Sequence, residues 1–294
     1  MNGSDFEYLA TLLRNRAGIV LGEDKTYLLE TRLMAVARKH GLSAPDQIPC
    51  VLRNGCPELE ADVIEAMTTN ETLFFRDRHP FDALQRDILP ELITLREQSR
   101  CLRIWSAACS TGQESYSIAM LIRDFFPLLS TWQLEIVATD ISPLVLNRAR
   151  DGLYTNFEVQ RGLPVQLLVR HFEQTQDMWR IRSELRRMVT FREFNLLDDP
   201  VGLGTFDIIF CRNVLLYFDV QTKRTILERM SQRLRTGGAL LLGASETVYG
   251  ISDAWVPDQQ LRAVYRRNAR QLLGSIERLM KSAAPETRLQ WRAT

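Results

Sequence analysis

Apolar positions along the first 68 residues recur at helical spacing, and from residue 101 onward they gather into short runs separated by helical stretches. In the first part, Ser4 and Glu7 bracket the start of a run carrying Phe6, Leu9, Ala10 and Leu13. That spacing predicts a helix with Ser4 as N-cap and Glu7 closing a capping box, stopped at Gly18. A second helix is expected over residues 23–40, ending at Gly41, with Leu29, Leu33 and Val36 buried. Lys25, Arg32 and Lys39 recur every seven residues on it and so share one face, read as exposed. Pro45, Pro49, Gly55 and Pro57 break the following stretch. Leu59, Val63, Ala66 and Met67 then mark one more amphipathic helix. No strand pattern occurs before residue 100.

Beyond it, residues 102–107, 134–139, 189–194, 206–211 and 239–242 read as five strands. Helical patterns fall between several of them, over 117–126, over 143–150, and in a stretch holding Ile226, Leu227, Met230 and Leu234 that Gly237-Gly238 should stop. Strands alternating with helices predict βαβ units and a parallel, doubly wound α/β sheet. Residues 261–266 alternate and are expected to form a final edge strand. Residues 153–188 break the alternation, with a short helix over 165–172 and an alternating piece at 178–181, and read as an inserted subdomain. The expected organisation is a helical domain over 1–68, a junction over 69–80, a sheet domain over 81–268, and a partly helical tail over 269–294.

Length and charge narrow the classes. A chain of 294 residues accommodates about two domains. A net charge of +1 argues against a general polyanion binder, and no nucleic-acid partner is expected. The balance is uneven: residues 1–80 carry nine basic and twelve acidic residues, net −3, leaving +4 for the remainder. No apolar run reaches the ~20 residues of a membrane helix, and residues 1–5 lack the basic and apolar regions of a secretory signal. Five cysteines without a CxxC pair, and three histidines, give no metal-site spacing. A cytoplasmic location is expected.

In open α/β sheets, ligands bind beyond the carboxyl ends of the strands. The first strand runs into Ala107-Ala108-Cys109-Ser110-Thr111-Gly112-Gln113-Glu114, whose small residues let backbone approach a ligand. The second ends at Asp140, placed either to accept from ribose hydroxyls or to cap the helix that opens at Pro143. Asn195 follows the third strand with an amide able to read an adenine edge. The fourth ends in Cys211-Arg212-Asn213. No Lys follows the glycine loop, which excludes a P-loop. Two carboxylates and two amides at four strand ends suit a cationic, adenosine-bearing ligand without phosphates, such as S-adenosylmethionine. Between the domains, Asn70, Thr72, Phe74, Phe75 and Arg76 form a dense run unlike a flexible linker.

The runs MTTNETLFFRD, RIWSAACSTGQESYSIAM, ATDIS, FNLL, FDIIFCRNVLLYFD and GASET, in this order and spacing, resemble the bacterial chemotaxis receptor glutamate O-methyltransferases of CheR type, over about residues 4–268. The resemblance implies an N-terminal all-helical domain followed by a class I (Rossmann-like) S-adenosylmethionine-dependent methyltransferase domain with a small inserted β-subdomain. It implies methyl transfer from S-adenosylmethionine to glutamate side chains on receptor cytoplasmic helices, leaving S-adenosylhomocysteine. Carried over by position, the cofactor contacts fall on Asn70, Thr72, Arg76, Glu114, Asp140, Asn195, Leu196, Arg212 and Asn213. Arg76 and Tyr217 become the candidate transfer-site residues, and Lys25, Arg32 and Lys39 a candidate docking face for the acidic receptor helices. The enzyme is expected to be a monomer. Family members that tether to a receptor pentapeptide have a Gly-rich subdomain loop; residues 171–178 here are shorter and contain no Gly, which implies pentapeptide independence.

Overall fold

The computed structural model describes residues 1–268, so the expected 269–294 tail lies outside the described residues. Four helices open the chain: α1 (Gly3–Ala17), α2 (Thr26–Lys39), α3 (Ile48–Arg53) and α4 (Pro57–Met67). Their apolar stripes, among them Leu9, Leu13, Leu29, Leu33, Leu59 and Val63, close a core of their own. Two expectations change here. The cap of α1 is Asn2, whose side chain accepts from the Asp5 N–H; Ser4 already lies inside the helix. Residues 23–25 form a separate 3-10 turn, so α2 begins three residues later than expected.

A segment of short helices follows, α5 (His79–Ala83), a π-helical turn (Leu84–Ile88) and α6 (Leu89–Arg96), none of which stood out in the sequence. Then come β1 (Cys101–Ala107), α7 (Gln113–Phe125), β2 (Gln133–Asp140) and α8 (Pro143–Asp151). The insertion comprises β3 (Leu153–Thr155), α9 (Asn156–Gln160), α10 (Val165–His171), β4 (Phe172–Thr175), β5 (Met178–Ile181) and α11 (Ser183–Arg186). The chain ends its described part with β6 (Val189–Glu193), β7 (Phe206–Cys211), α12 (Val220–Arg233), β8 (Leu234–Leu242), β9 (Trp255–Pro257) and β10 (Val264–Arg267).

The main sheet has seven strands in the order β6-β2-β1-β7-β8-β10-β9, parallel from β6 to β8 and antiparallel beyond. β3, β5 and β4 form a separate antiparallel sheet. The predicted last strand is therefore not the edge: β10 lies between β8 and β9. The Gly237-Gly238 pair does not stop the helix either. It lies within β8, where the register to β7 is irregular.

Alternate residues of the inner strands divide the core into two layers. Ile104, Ile136, Ile208 and Phe210 pack with α5–α8 and the inserted unit, while Trp105, Val137, Ile209 and Cys211 pack with α12. Every residue of β7 is buried, as central parallel strands require. That includes Asp207, which Arg96 (2.7 Å), Arg235 (3.1 Å) and the Arg103 N–H (2.9 Å) compensate at the end of the strand away from the ligand side. Gly162 (φ 87°), between α9 and α10, lies so near the interdomain junction that a Cβ there would overlap the Phe74 carbonyl oxygen. Phe74 is fully buried, edge-on to Tyr154 and Phe172 of the inserted unit.

Candidate active site

The strand order reverses at β1, between β2 and β7, and a cleft opens beyond these carboxyl ends. The end of α1 and residues 67–76 cover it from the helical side. Polar bonds between the two parts gather around it: Ser142 Oγ to Glu65 (2.6 Å), Asn195 Nδ2 to Arg16 O (2.6 Å), Val20 N to Tyr217 O (3.1 Å) and Arg14 to Asp219 (2.6 Å).

The β1 outlet carries Ala108 (φ 57°) and Ser110 (φ 51°) in left-handed backbone conformations that cost non-glycine residues energy. Ser110 holds this turn on two sides. Its N–H donates to Asp140 Oδ2 (2.8 Å) and its hydroxyl to Asn70 O (2.7 Å). Nothing in the sequence pattern singled it out, because both partners are remote in sequence.

Asp140 closes β2 and is buried. Its oxygens accept one N–H each, from Ser110 and from Ser142 (3.0 Å). The helix cap is Ser142, whose hydroxyl accepts from the Val145 N–H, so the capping alternative for Asp140 falls away. Burial pushes its carboxyl above the ordinary 3.8, against the backbone N–H groups that favour the anion. Cys109 in the same wall is buried and its thiol is pushed well up by desolvation. It stays protonated and offers no thiolate to compete for a methyl group.

The β7 outlet is built differently. Arg212 is almost wholly buried and donates to Glu114 (2.8 Å), Asp77 (2.8 Å) and Arg76 O (2.7 Å). Its Nε has no partner among the described residues. Glu114 also accepts from Ser106 Oγ (2.8 Å). The expected direct cofactor contacts Arg212 and Glu114 are thus first of all a pair that fastens the junction to the sheet. The Asn195 amide is likewise engaged, donating to Arg16 O and accepting from Leu197 N (3.0 Å), which leaves it one N–H and one lone pair.

The remaining candidates Asn70, Thr72, Arg76, Leu196, Asn213 and Tyr217 all line the cleft. Arg76 Nη1 donates to Glu71 O (3.0 Å) rather than to a carboxylate. The Lys25, Arg32 and Lys39 stripe is not uniformly outward. Lys25 and Lys39 are exposed, Lys39 beside Asp62 (2.8 Å). Arg32 instead turns to the junction and donates to Met67 O and Thr68 O (3.0 Å each) and Thr69 Oγ1 (3.2 Å). Those carbonyls end α4, where a cation is favoured.

The family model described as CheR methyltransferase, SAM binding domain, matches residues 70–262, and that described as CheR methyltransferase, all-alpha domain, matches residues 4–68. The chain belongs to the CheR methyltransferase family. It is 43% identical over 258 residues to the chemotaxis protein methyltransferase Cher2 of Pseudomonas putida, covering 85% of this chain and 92% of that protein. It is also 43% identical over 255 residues to chemotaxis protein methyltransferase 1 of Pseudomonas aeruginosa, with the same coverage, and 34% identical over 266 residues to a chemotaxis protein methyltransferase of Borreliella burgdorferi, covering 88% of this chain and 93% of that protein.

As a CheR methyltransferase the chain uses S-adenosylmethionine, and the cleft suits that molecule. A carboxylate offers about four acceptor positions. Asp140 uses one on each oxygen, so acceptor positions remain open towards the cleft. The unpartnered Arg212 Nε is a further buried donor in the same wall. Among the described residues no helix is long and apolar enough to cross a membrane.

Proposed function

We propose that this enzyme methylates glutamate side chains on the cytoplasmic helices of methyl-accepting chemoreceptors, giving glutamyl methyl esters and S-adenosylhomocysteine, and so serves sensory adaptation. One observation carries the choice of acceptor. None of the described histidines reaches the cleft: His40 pairs with Asp62, His79 with Arg262 O and His171 with Asp124. A glutamate carboxylate (pKa about 4.3) is already ionised at neutral pH, so it can act as the acceptor without a histidine base in the cleft. The naming of the relatives as chemotaxis enzymes supports the same acceptor.

S-adenosylmethionine supplies a methyl group on a sulfonium, an activated leaving group. The protein's work is alignment and exclusion of water. In this reading Asp140 holds the ribose, and Leu196 with the backbone at Asn195 flanks the adenine. Asn70, Thr72 and Glu114 bind towards the amino-acid end. Arg76 holds a carboxylate of cofactor or substrate by giving up its Glu71 carbonyl, and Tyr217 orients the reacting glutamate. Asn213 and Arg212 complete the wall. Lys25 and Lys39 meet the acidic receptor helix, with Arg32 linking that face to the junction. The enzyme acts in the cytoplasm as a monomer and takes no nucleic acid.

The β4–β5 hairpin turns through Gln176 and Asp177 alone, with Thr175 paired to Met178. A two-residue turn without glycine leaves no loop beside the β4 edge to seat an added strand, which supports pentapeptide independence.

Radiolabelled S-adenosylmethionine incubated with receptor cytoplasmic fragments should transfer base-labile methyl groups to them. Absence of base-labile label across a receptor panel would overturn the reading. Calorimetry with receptor C-terminal pentapeptides should show no heat of binding, and micromolar affinity would overturn the tether-free form.

A further inference from the structure

The wall of the cleft that carries Asn213, Val214 and Tyr217 is an irregular turn between β7 and α12 with no side-chain cap of its own. Asn213 sits there at φ 59°, a conformation that costs a non-glycine residue energy and persists only where surroundings enforce it. What enforces it comes from the neighbouring strand outlet. Glu246, three residues after Gly243, which follows the end of β8 at Leu242, is buried with 9% of its surface exposed. Its Oε1 accepts from the N–H groups of Val214 (2.9 Å) and Leu215 (2.8 Å), and its Oε2 from those of Asn213 (2.7 Å) and Gly243 (2.7 Å). Four backbone donors on one carboxylate fill its capacity.

Gly243 completes the arrangement. A Cβ at that position would stand 2.7 Å from Glu246 Oε2 and 2.8 Å from Asn213 Nδ2, so any side chain would push the carboxylate and the turn apart.

We propose that Glu246 is a positioning residue of the methyltransferase: by tying the β8 outlet to the β7 outlet it holds Asn213 and Tyr217 in the wall of the cofactor cleft. The inference rests on the cleft being the S-adenosylmethionine site and is independent of which acceptor is methylated. A glutamine at 246 has the same shape but one acceptor oxygen; its NH2 group would face two backbone donors and leave them unpaired.

The test needs no methyl acceptor. In the wild-type protein, amide hydrogen exchange should show Asn213, Val214 and Leu215 protected although they lie in an irregular turn. Unprotected exchange there would overturn the proposal without any variant. Glu246→Gln should raise exchange at those amides about tenfold or more and leave the interior of β7 unchanged. It should weaken S-adenosylhomocysteine affinity by about tenfold in calorimetry, while the thermal midpoint stays within a few degrees of wild type. Gly243→Ala should reproduce the local loosening and the weaker affinity. Loosened exchange with undiminished affinity in both variants would show a structural brace only and overturn the positioning role. Loss of receptor methylation with these readouts intact would bear on the acceptor instead.

Discussion

Asp140 closes β2 and Arg212 follows β7, the two strands that flank β1; both are buried, and both carry a charge towards the same cleft. They are satisfied in opposite ways. Asp140 is held by two backbone N–H groups, one from its own turn and one from the β1 outlet, and keeps acceptor capacity for a ligand. Arg212 commits its terminal nitrogens to Glu114, Asp77 and a carbonyl from residues far along the chain, and only Nε is left over. In the proposed reading one outlet receives the cofactor; the other is first a clamp on the segment that covers it. A charged residue at a strand end can thus serve the same site by binding the ligand or by fixing the cover. The partners, not the position, decide which.

The largest effect expected from that difference is on stability. Arg212→Ala leaves the buried Glu114 carboxylate without its cation and releases the junction it clamps. The unfolding free energy should fall by about 3 kcal/mol, read in urea denaturation. Asp140→Asn should do the reverse. Affinity for S-adenosylhomocysteine should fall about 10- to 100-fold in calorimetry, as a lost charge-assisted bond predicts, with a loss of folding stability under about 1 kcal/mol. If both variants lose stability equally, the two outlets do not differ as described.

Acidity sharpens the contrast. Burial raises the Asp140 carboxyl above 3.8 in the folded protein. Its contribution to folding is therefore favourable below that value and is lost as pH rises through the folded pKa. If Asp140 accepts from the ribose as proposed, the ionised form binds better, so affinity should weaken on acidification at a pH above 3.8. The dependence should vanish in Asp140→Asn, measured by calorimetry across pH.

The smallest effect is expected at an exposed contrast to both. Asp219 caps α12, accepting from the Thr222 N–H (2.8 Å), and meets the exposed Arg14 of α1. The Thr222 N–H, then its hydroxyl, then Arg14 lower its carboxyl to about 2. This stability is present above 3.8 and fades as pH falls towards about 2. Asp219→Ala should cost about 1 kcal/mol at neutral pH, mostly through the cap, and less near pH 2, in thermal melts across pH.

The sequence was readable where the physics is periodic or local. The central strands β1, β2 and β7 are short, mostly apolar runs, and their ends point to the cleft by a rule of topology alone. Of the strands of three or four residues, β5 and β10 showed as alternating pieces and the others were not readable. β3, β4 and β9 have too few positions for a period, and their pairing is fixed by partners distant in sequence. The same holds for side chains whose partners are non-local. A period of seven places Arg32 with Lys25 and Lys39, but only the fold reveals that α4 ends beneath it. Glu246 stood in a recognisable run, yet nothing about its spacing tells that four backbone donors converge on it.

The packing of Gly162 against Phe74 sets a rule for anyone exchanging parts between relatives. The three-stranded insertion looks like a module that could be swapped to change receptor preference. Its base, however, reaches the backbone of the strap over the cleft, and only a residue without a side chain fits there. A graft that brings any other residue to position 162 would move the strap as well, and so alter cofactor binding when only target choice was meant to change.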